Sequence, residues 1–250
     1  MDLKDIFFDI DDYYPTGKKL GKGSFGEVYV VQEKGGEKQY AAKIINQKEL
    51  TLQDQILFLQ ESLILPKLNH PSIVRFYGIN FHSFDNPTLL QPTILTEYIE
   101  NCSLKNIIDN EKKGLANSNW NATKKCICLI GISNAFRYLH KEGIIHRDLK
   151  PDNILIDSNY YPIVCDFGLS KCFSEIFSNS IKFENSGMFG TPLYMAPEVI
   201  NEDFYGPCVD VYSFGMLAYE IVTGIEPFSK NGVKISFSSL ISNVSSFIYI

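Results

Sequence analysis

Residues 146–153, with the sequence HRDLKPDN, limit the possible folds and functions of this chain more than any other stretch does. Four of these eight residues are charged, and neither helical nor strand periodicity accounts for them. An Asp-Phe-Gly triplet at 166–168 begins eighteen residues after Asp148, and an Ala-Pro-Glu triplet follows at 196–198. Chance and packing do not explain three such motifs in one chain, so they indicate a functional site.

A glycine-rich segment lies near the start of the chain. Residues 21–26, GKGSFG, fit the pattern G-x-G-x-x-G, whose glycines let backbone N–H groups approach phosphates closely. Alone this match does not identify the fold, because dinucleotide-binding folds use the same glycine spacing. In those folds the glycine turn opens a helix, whereas here residues 27–31, EVYVV, continue as a strand. A glycine loop between two strands is instead typical of a segment that folds over bound ATP.

The first hundred residues are predicted to be mainly strands. Residues 13–45, 73–79 and 93–98 have strand composition, and one helix is expected over 51–68. Thr51 is its predicted N-cap, and Ile56, Leu59 and Leu63 fall on one face.

Helices dominate the predictions after residue 100. They are expected at 103–113, 123–141 and 209–223, each followed by a glycine at the position where helices end. A small sheet-rich lobe followed by a larger helical lobe is therefore predicted.

The order of the motifs resembles the eukaryotic protein kinase family. Glycine loop, strand lysine (Lys43), H-R-D-L-x-x-x-N, D-F-G and A-P-E form the signature set of that family. The resemblance covers roughly residues 14–228 and implies an α+β, two-lobed fold. Its expected parts are an N-terminal extension (1–13), an N-lobe (about 14–96), a hinge (97–99), a C-lobe (about 100–228) and an atypical tail (229–250).

The resemblance also implies an ATP site. Lys43 would hold the α- and β-phosphates, and Glu61, eighteen residues downstream in the predicted helix, would hold Lys43. Asp54 is the other acidic residue of that helix. It lies in the first turn, where the helix dipole favours a negative charge, so Glu61 is the preferred partner of Lys43. The expected ATP-binding residues are Leu20, Gly21, Gly23, Gly26, Val28, Ala41, Lys43, Glu61, Glu97, Ile99 and Leu155.

Catalytic roles follow from the same resemblance. Phosphoryl transfer needs positioning and cancellation of phosphate charge rather than covalent chemistry by the protein. Asp148 would accept the proton of the substrate hydroxyl, and Lys150 would offset charge on the transferred group. Asn153 and Asp166 would bind Mg²⁺, which prefers oxygen ligands. The expected catalytic residues are therefore Asp148, Lys150 and Asn153, and the expected cofactors are ATP and Mg²⁺.

Substrate type and regulation are expectations of the same kind. Lys150 and residues 190–195, GTPLYM, resemble serine/threonine kinases, while residues 210–215, DVYSFG, resemble the tyrosine-kinase-like group. Serine/threonine specificity is expected, and dual specificity stays open. Arg147 would pair with a phosphate on the 169–191 segment, added by an upstream kinase or by autophosphorylation. The candidate phosphosites are Ser174, Ser178, Ser180 and Ser186.

Charge and hydropathy exclude other functional classes. A formal net charge of −6 argues against nucleic-acid binding. The first residues, MDLKD, lack the features of a signal peptide, and no apolar run is long enough to cross a membrane. A cytoplasmic protein acting on protein substrates is expected.

The last residues depart from the family pattern. Past residue 228 the family continues with several helices, whereas this sequence has 22 further residues without an arginine. Glu198 would then lack its usual arginine partner, and the helix at 209–223 would leave an apolar face uncovered. Two readings follow: an active serine/threonine kinase, or a nucleotide-binding scaffold that is catalytically impaired. A small-molecule phosphotransferase is disfavoured by the Ala-Pro-Glu triplet.

Overall fold

The computed structural model describes residues 6–22, 26–45, 51–86, 88–100, 102–172, 191–201, 203, 205–230 and 233–234. The chain divides into two units. The first unit consists of Met1–Glu100 and Cys165–Leu169, and the second of Asn101–Val164 and Ser170–Ile250. The α+β class and the sheet-rich first lobe predicted from the sequence are both confirmed.

A five-stranded antiparallel sheet forms the framework of the first unit, in the order β1-β2-β3-β5-β4. Gly35 has a φ of 79° in the turn between β2 and β3, a conformation that glycine adopts without steric cost. β4 and β5 both begin about three residues away from their predicted starts. The strands are β1 (Tyr13–Lys22), β2 (Glu27–Glu33), β3 (Gln39–Ile44), β4 (Phe76–His82) and β5 (Leu90–Glu97).

Helix α1 (Leu52–Ile64) lies between β3 and β4 in the chain. Thr51 is its N-cap as predicted, in a reciprocal capping box with Asp54. The helix is shorter than predicted, because Pro66 has no N–H to continue it and a 3₁₀ turn (Leu65–Lys67) follows.

The two faces of α1 differ from what its apolar pattern suggests. Ile56, Leu59 and Leu63 share a face as predicted, but that face is exposed to solvent. The buried side chains of α1 are Leu57, Phe58, Glu61, Ser62 and Ile64.

Residues 6–12, which the sequence sets apart as an extension, pack on the sheet. Phe8 and Ile10 are buried in one core cluster of the first unit. The Phe8 N–H donates to the Ile79 carbonyl at 3.2 Å, and the Asn80 amide donates to the Phe8 carbonyl at 2.8 Å. The remaining buried members of this cluster are Val31, Tyr40, Ala42 and Leu95.

The second unit is mainly helical. Its described helices are α2 (Leu104–Lys112), α3 (Ala122–Lys141), α4 (Pro197–Ile200) and α5 (Cys208–Thr223). Gly224 follows α5 with a φ of 70°, which is the predicted glycine stop. Three short ladders pair β6 (Ile144–Ile145) with β9 (Lys171–Cys172), β7 (Ile154–Ile156) with β8 (Pro162–Val164), and β10 (Ser229–Lys230) with β11 (Val233–Lys234).

Helix α5 has one buried and one exposed apolar side. Leu217 and Ile221 are fully buried, whereas Val211, Tyr219 and Val222 are exposed. Among the described residues, no helix is both long and apolar enough to span a membrane.

Candidate active site

Three charged residues meet in the first unit. The Lys43 Nζ lies 2.7 Å from Oε2 of Glu61 and 2.6 Å from Oδ1 of Asp166. Glu61 also accepts the backbone N–H of Phe167 at 3.3 Å. The structure therefore brings together the lysine and the helix acid, which the resemblance implied to be partners, and the D-F-G aspartate, which the resemblance assigned to Mg²⁺.

Burial gives this cluster its electrostatic character. Burial alone lowers the pKa of Lys43, but the adjacent carboxylates of Asp166 and Glu61 raise it above its usual value. Burial raises the pKa of Glu61, because it disfavours the charged carboxylate, and the positive charge of Lys43 opposes that shift. Lys43 thus carries a fixed positive charge in a site shielded from water.

The glycine segment is placed by β1 and β2. Gly21 belongs to β1, where a Cβ would meet no atom within 4 Å. At Gly26 a Cβ would lie 2.5 Å from the Ile44 carbonyl oxygen, so only glycine allows the chain to approach β3 this closely. Gly23, the middle glycine of the motif, lies outside the described residues.

The other predicted ATP-binding residues of the first unit lie on the same sheet. Leu20 is on β1, and Val28 on β2 pairs directly with Lys43 on β3. Ala41 is two residues before Lys43, opposite Thr96 of β5. Glu97 ends β5 and Ile99 follows it, both half-buried.

A second polar cluster lies in the second unit, on the catalytic loop predicted at residues 146–153. Lys150 Nζ donates to the Asp148 carboxylate at 2.7 Å. The Asn153 amide donates to the same carboxylate and to the Asp148 carbonyl, each at 2.8 Å. The three predicted catalytic residues are therefore in direct contact.

Asp210 on α5 fixes the backbone of this loop. Its carboxylate accepts the N–H groups of His146 and Arg147, both at 2.9 Å. His140, at the end of α3, contacts the same carboxylate at 2.8 Å through Nε2. Sequence reasoning missed His140, although a histidine in the last turn of a helix just before the loop was a usable signal.

A buried carboxylate in the second unit was also missed. Glu220 on α5 is fully buried and accepts a hydrogen bond from the Tyr194 hydroxyl. It lies 3.3 Å from Lys112 Nζ and 3.8 Å from Lys105 Nζ. Burial, followed by the hydrogen bond to Glu220, raises the pKa of Tyr194. The sequence shows that Glu220 lies ten residues after Asp210 on the same predicted helix. It does not show that Lys105 and Lys112 on α2 lie close to Glu220.

The remaining positions named from the sequence are Leu155, Glu198 and the candidate phosphosites. Leu155 lies on β7, opposite Ile163. Glu198 is half-buried and accepts the Cys208 S–H at 3.6 Å, and within the described part of the chain no cation pairs with it. The four candidate phosphosites lie outside the described residues.

The predicted metal ligands have suitable chemistry. Asp166 and Asn153 offer a carboxylate and an amide oxygen, the hard donors that Mg²⁺ selects. Each of these two side chains, taken by itself, therefore offers a donor of the kind that Mg²⁺ binds.

Sequence comparisons identify the family to which the chain is similar. A family model described as "Protein kinase domain" matches residues 14–249. The chain is 32% identical over 224 residues to "Protein kinase 2" of Dictyostelium discoideum, covering 89% of this chain and 43% of that protein. It is 34% identical over 232 residues to the "RAC family serine/threonine-protein kinase homolog" of the same organism, covering 91% and 48% respectively.

A third relative is similar over more of its length. "Myosin light chain kinase A" of Dictyostelium discoideum is 32% identical over 235 residues, or 93% of this chain and 74% of that protein. By contrast, the chain spans less than half the length of each of the first two relatives.

The buried lysine cluster and the aspartate loop both lie within the residues that the protein kinase model matches. The chain belongs to the protein kinase family. The tyrosine-kinase-like subgroup stays a prediction.

Proposed function

We propose that this chain is an ATP-dependent protein kinase that phosphorylates serine and threonine hydroxyls of protein substrates. The observation that carries the proposal is the Asp148 carboxylate, which both Lys150 and Asn153 contact within 2.8 Å. A carboxylate held by a lysine and an asparagine suits a reaction in which one group accepts a proton while charge builds up beside it.

The chemistry assigned to the second unit is a proton transfer coupled to phosphoryl transfer. The substrate hydroxyl oxygen forms a bond to the γ-phosphorus of ATP, and the bond from that phosphorus to ADP breaks. Asp148 accepts the hydroxyl proton, and Lys150 offsets the negative charge of the transferred group. The identity of Lys150 is also what favours serine and threonine over tyrosine.

The first unit would bind the nucleotide. Lys43, kept positive by its two carboxylate neighbours, would hold the α- and β-phosphates. Asn153 and Asp166 would hold Mg²⁺, which would supply positive charge to offset that of the phosphates. The backbone around Gly21, Gly23 and Gly26 would cover the phosphates.

The adenine ring would be held by apolar side chains and by the backbone after β5. Val28 and Ala41, on neighbouring strands, would take this role, and Leu20 and Leu155 are the other apolar residues proposed to contact the ring. Backbone groups of Glu97 and Ile99 would bond to the ring edge. Phosphorylation in the 169–191 segment, paired with Arg147, is the proposed regulation.

The test is transfer of labelled phosphate from ATP and Mg²⁺ to a generic protein substrate and to the chain itself. We expect label on serine and threonine with the native chain, and none with Asp148→Asn. Binding of ATP without transfer by the folded native chain would refute the kinase proposal.

The second candidate function is a nucleotide-binding scaffold without transferase activity. The exposed apolar side of α5 supports it, because this surface is available for a stable contact with another protein. The same transfer assay separates the two candidates, since a scaffold would bind ATP and leave the substrate unlabelled.

A further inference from the structure

The segment of residues 6–12, called the strap below, pairs with the edge of the five-stranded sheet. β4 is the last strand in the order of that sheet, so one of its edges has no neighbouring strand. At this edge Phe7 of the strap pairs in parallel with Ile79, and the Phe8 N–H donates to the Ile79 carbonyl at 3.2 Å. The strap therefore covers backbone groups that an edge strand otherwise leaves free.

Two residues of β4 are specialised for contact with the strap. Asn80 is buried, although asparagine is uncommon in strands, and its side-chain amide donates to the Phe8 carbonyl at 2.8 Å. A Cβ at Gly78 would lie 3.0 Å from the Ile6 carbonyl oxygen and 3.2 Å from a ring carbon of Phe8. Glycine at this position thus lets the strap lie close to β4, and Asn80 fixes it there.

A row of aromatic rings connects the strap to helix α1. The ring centroids of Phe7 and Phe81 are 6.1 Å apart, and those of Phe81 and Phe58 are 5.8 Å apart. Both distances fall in the range of about 4.5–7 Å in which aromatic pairs attract each other. Phe81 lies on β4 and Phe58 on α1, so the strap reaches the helix through a single residue of the sheet.

Phe58 lies one turn of α1 before the residue that pairs with Lys43. Phe58 and Glu61 are both buried, and they are about 4.5 Å apart along the helix axis. Glu61 lies 2.7 Å from Lys43 Nζ and accepts the Phe167 N–H at 3.3 Å. Because both residues belong to the same helical segment, a contact that holds Phe58 also limits the displacement of Glu61.

Helix α1 is anchored mainly by one face. Leu52, Ile56, Leu59 and Leu63 are exposed among the residues that the structure describes. A helix held on one face has few contacts that resist its displacement, so the loss of one contact should loosen it locally. The Phe81–Phe58 contact is one of those few.

We propose that the strap is a positioning element for α1, in which Phe7 holds the Phe81 ring against Phe58 and so keeps Glu61 within reach of Lys43. Phe7 and Phe81 are positioning residues in this scheme, since they act through α1. All of the residues involved belong to the first unit. The expected effect on ATP binding rests on the proposed function, whereas the effect on α1 does not.

Hydrogen exchange of backbone amides, measured by NMR on the full chain without nucleotide, tests the proposal. We expect Phe7→Ala to speed exchange in α1 and at the Phe167 amide by at least about fivefold, while β2 and β3 change by less than about twofold. Phe7→Leu, which keeps an apolar contact with Phe81, should restore most of the protection. The matched control is Tyr14→Ala, at a 41% exposed aromatic residue of β1, which should leave exchange in α1 unchanged.

A second variant tests the route through Phe81. In the Phe81→Ala chain, the further change Phe7→Ala should have no added effect on α1, because the row of rings is already interrupted. Unchanged exchange in α1 for Phe7→Ala, or an equal rise throughout the first unit, would overturn the proposal, since the strap would then only stabilise the unit as a whole. An undiminished effect of Phe7→Ala in the Phe81→Ala chain would overturn it as well.

Binding of a fluorescent ATP analogue is the readout that links the strap to the nucleotide. The dissociation constant should rise for Phe7→Ala and stay unchanged for Tyr14→Ala. A native chain that does not bind the analogue would contradict the proposed function, and the exchange measurements would still decide the role of the strap.

Discussion

The Asp210 carboxylate accepts the backbone N–H of Arg147 at 2.9 Å, and Arg147 has a left-handed backbone with a φ of 67°. A residue with a side chain adopts that conformation only where surrounding contacts hold it. Asp210 makes the same bond to His146 and contacts His140. The buried Asp210 carboxylate on α5 thus holds the loop that carries Asp148 in a strained backbone conformation.

We therefore expect Asp210→Ala to lower the free energy of unfolding by about 3 kcal/mol, because two backbone N–H groups lose their charged acceptor in a buried site. Phosphate transfer should fall as well, since Asp148 loses its support. Urea denaturation measures the first effect. Asp203→Ala, at an exposed aspartate of the same unit, is the control and should change stability by less than about 0.5 kcal/mol. An unchanged urea midpoint for Asp210→Ala would contradict the assignment.

Lys43 and Glu61 should be energetically coupled. Lys43→Met leaves the carboxylates of Glu61 and Asp166 without their cation, and Glu61→Gln leaves Lys43 with Asp166 alone. In the double variant only Asp166 loses its cation, so the two substitutions should not be additive. In a double-mutant cycle of Lys43→Met and Glu61→Gln we expect a coupling free energy on the order of 1–3 kcal/mol, measured by urea denaturation.

The exposed pair Lys19 and Glu27 provides the control cycle. Solvent screens that pair, so Lys19→Met and Glu27→Gln should be nearly additive. Equal coupling in the two cycles would mean that burial does not strengthen the Lys43–Glu61 contact.

Two glycines of the same motif should differ in their tolerance of a methyl group. A Cβ at Gly26 would lie 2.5 Å from the Ile44 carbonyl oxygen, whereas one at Gly21 would meet no atom within 4 Å. We expect Gly26→Ala to cost about 1–3 kcal/mol, because β2 and β3 must move apart, and Gly21→Ala to cost clearly less. Thermal unfolding of the two variants compares them, and a Gly21→Ala variant that is the less stable of the two would show the close approach to be wrong.

The cysteines should fall into reactive and unreactive groups. Burial raises the pKa of Cys128 to about 12, so its reactive thiolate is absent between pH 7 and 9. Cys102, Cys126 and Cys208 are exposed. Iodoacetamide at pH 8 followed by peptide mass spectrometry should label the three exposed cysteines quickly, and Cys128 only in denaturant. Rapid labelling of Cys128 in the folded chain would contradict its burial.

Local chemistry is readable from the sequence where a motif tolerates few residue types. The glycine loop, Lys43, residues 146–153, the Asp-Phe-Gly triplet and the Ala-Pro-Glu triplet together predicted the protein kinase family, which the family match confirms. The catalytic roles assigned to single residues stay predictions. Helix ends were predicted to within about two residues where a glycine or a capping residue fixes them, as at Gly224 and Thr51. The end of α1 was misjudged, since Pro66 was not weighed as a helix breaker.

Tertiary structure alone decided which faces are buried and which charges meet. The sequence placed Ile56, Leu59 and Leu63 on one face of α1, but only the position of the sheet determines that Glu61 points inward and the leucines outward. The same holds for Glu220, whose lysine partners lie more than a hundred residues earlier in the chain. Periodicity describes a helix by itself, whereas burial and ion pairing depend on what the rest of the chain brings against it.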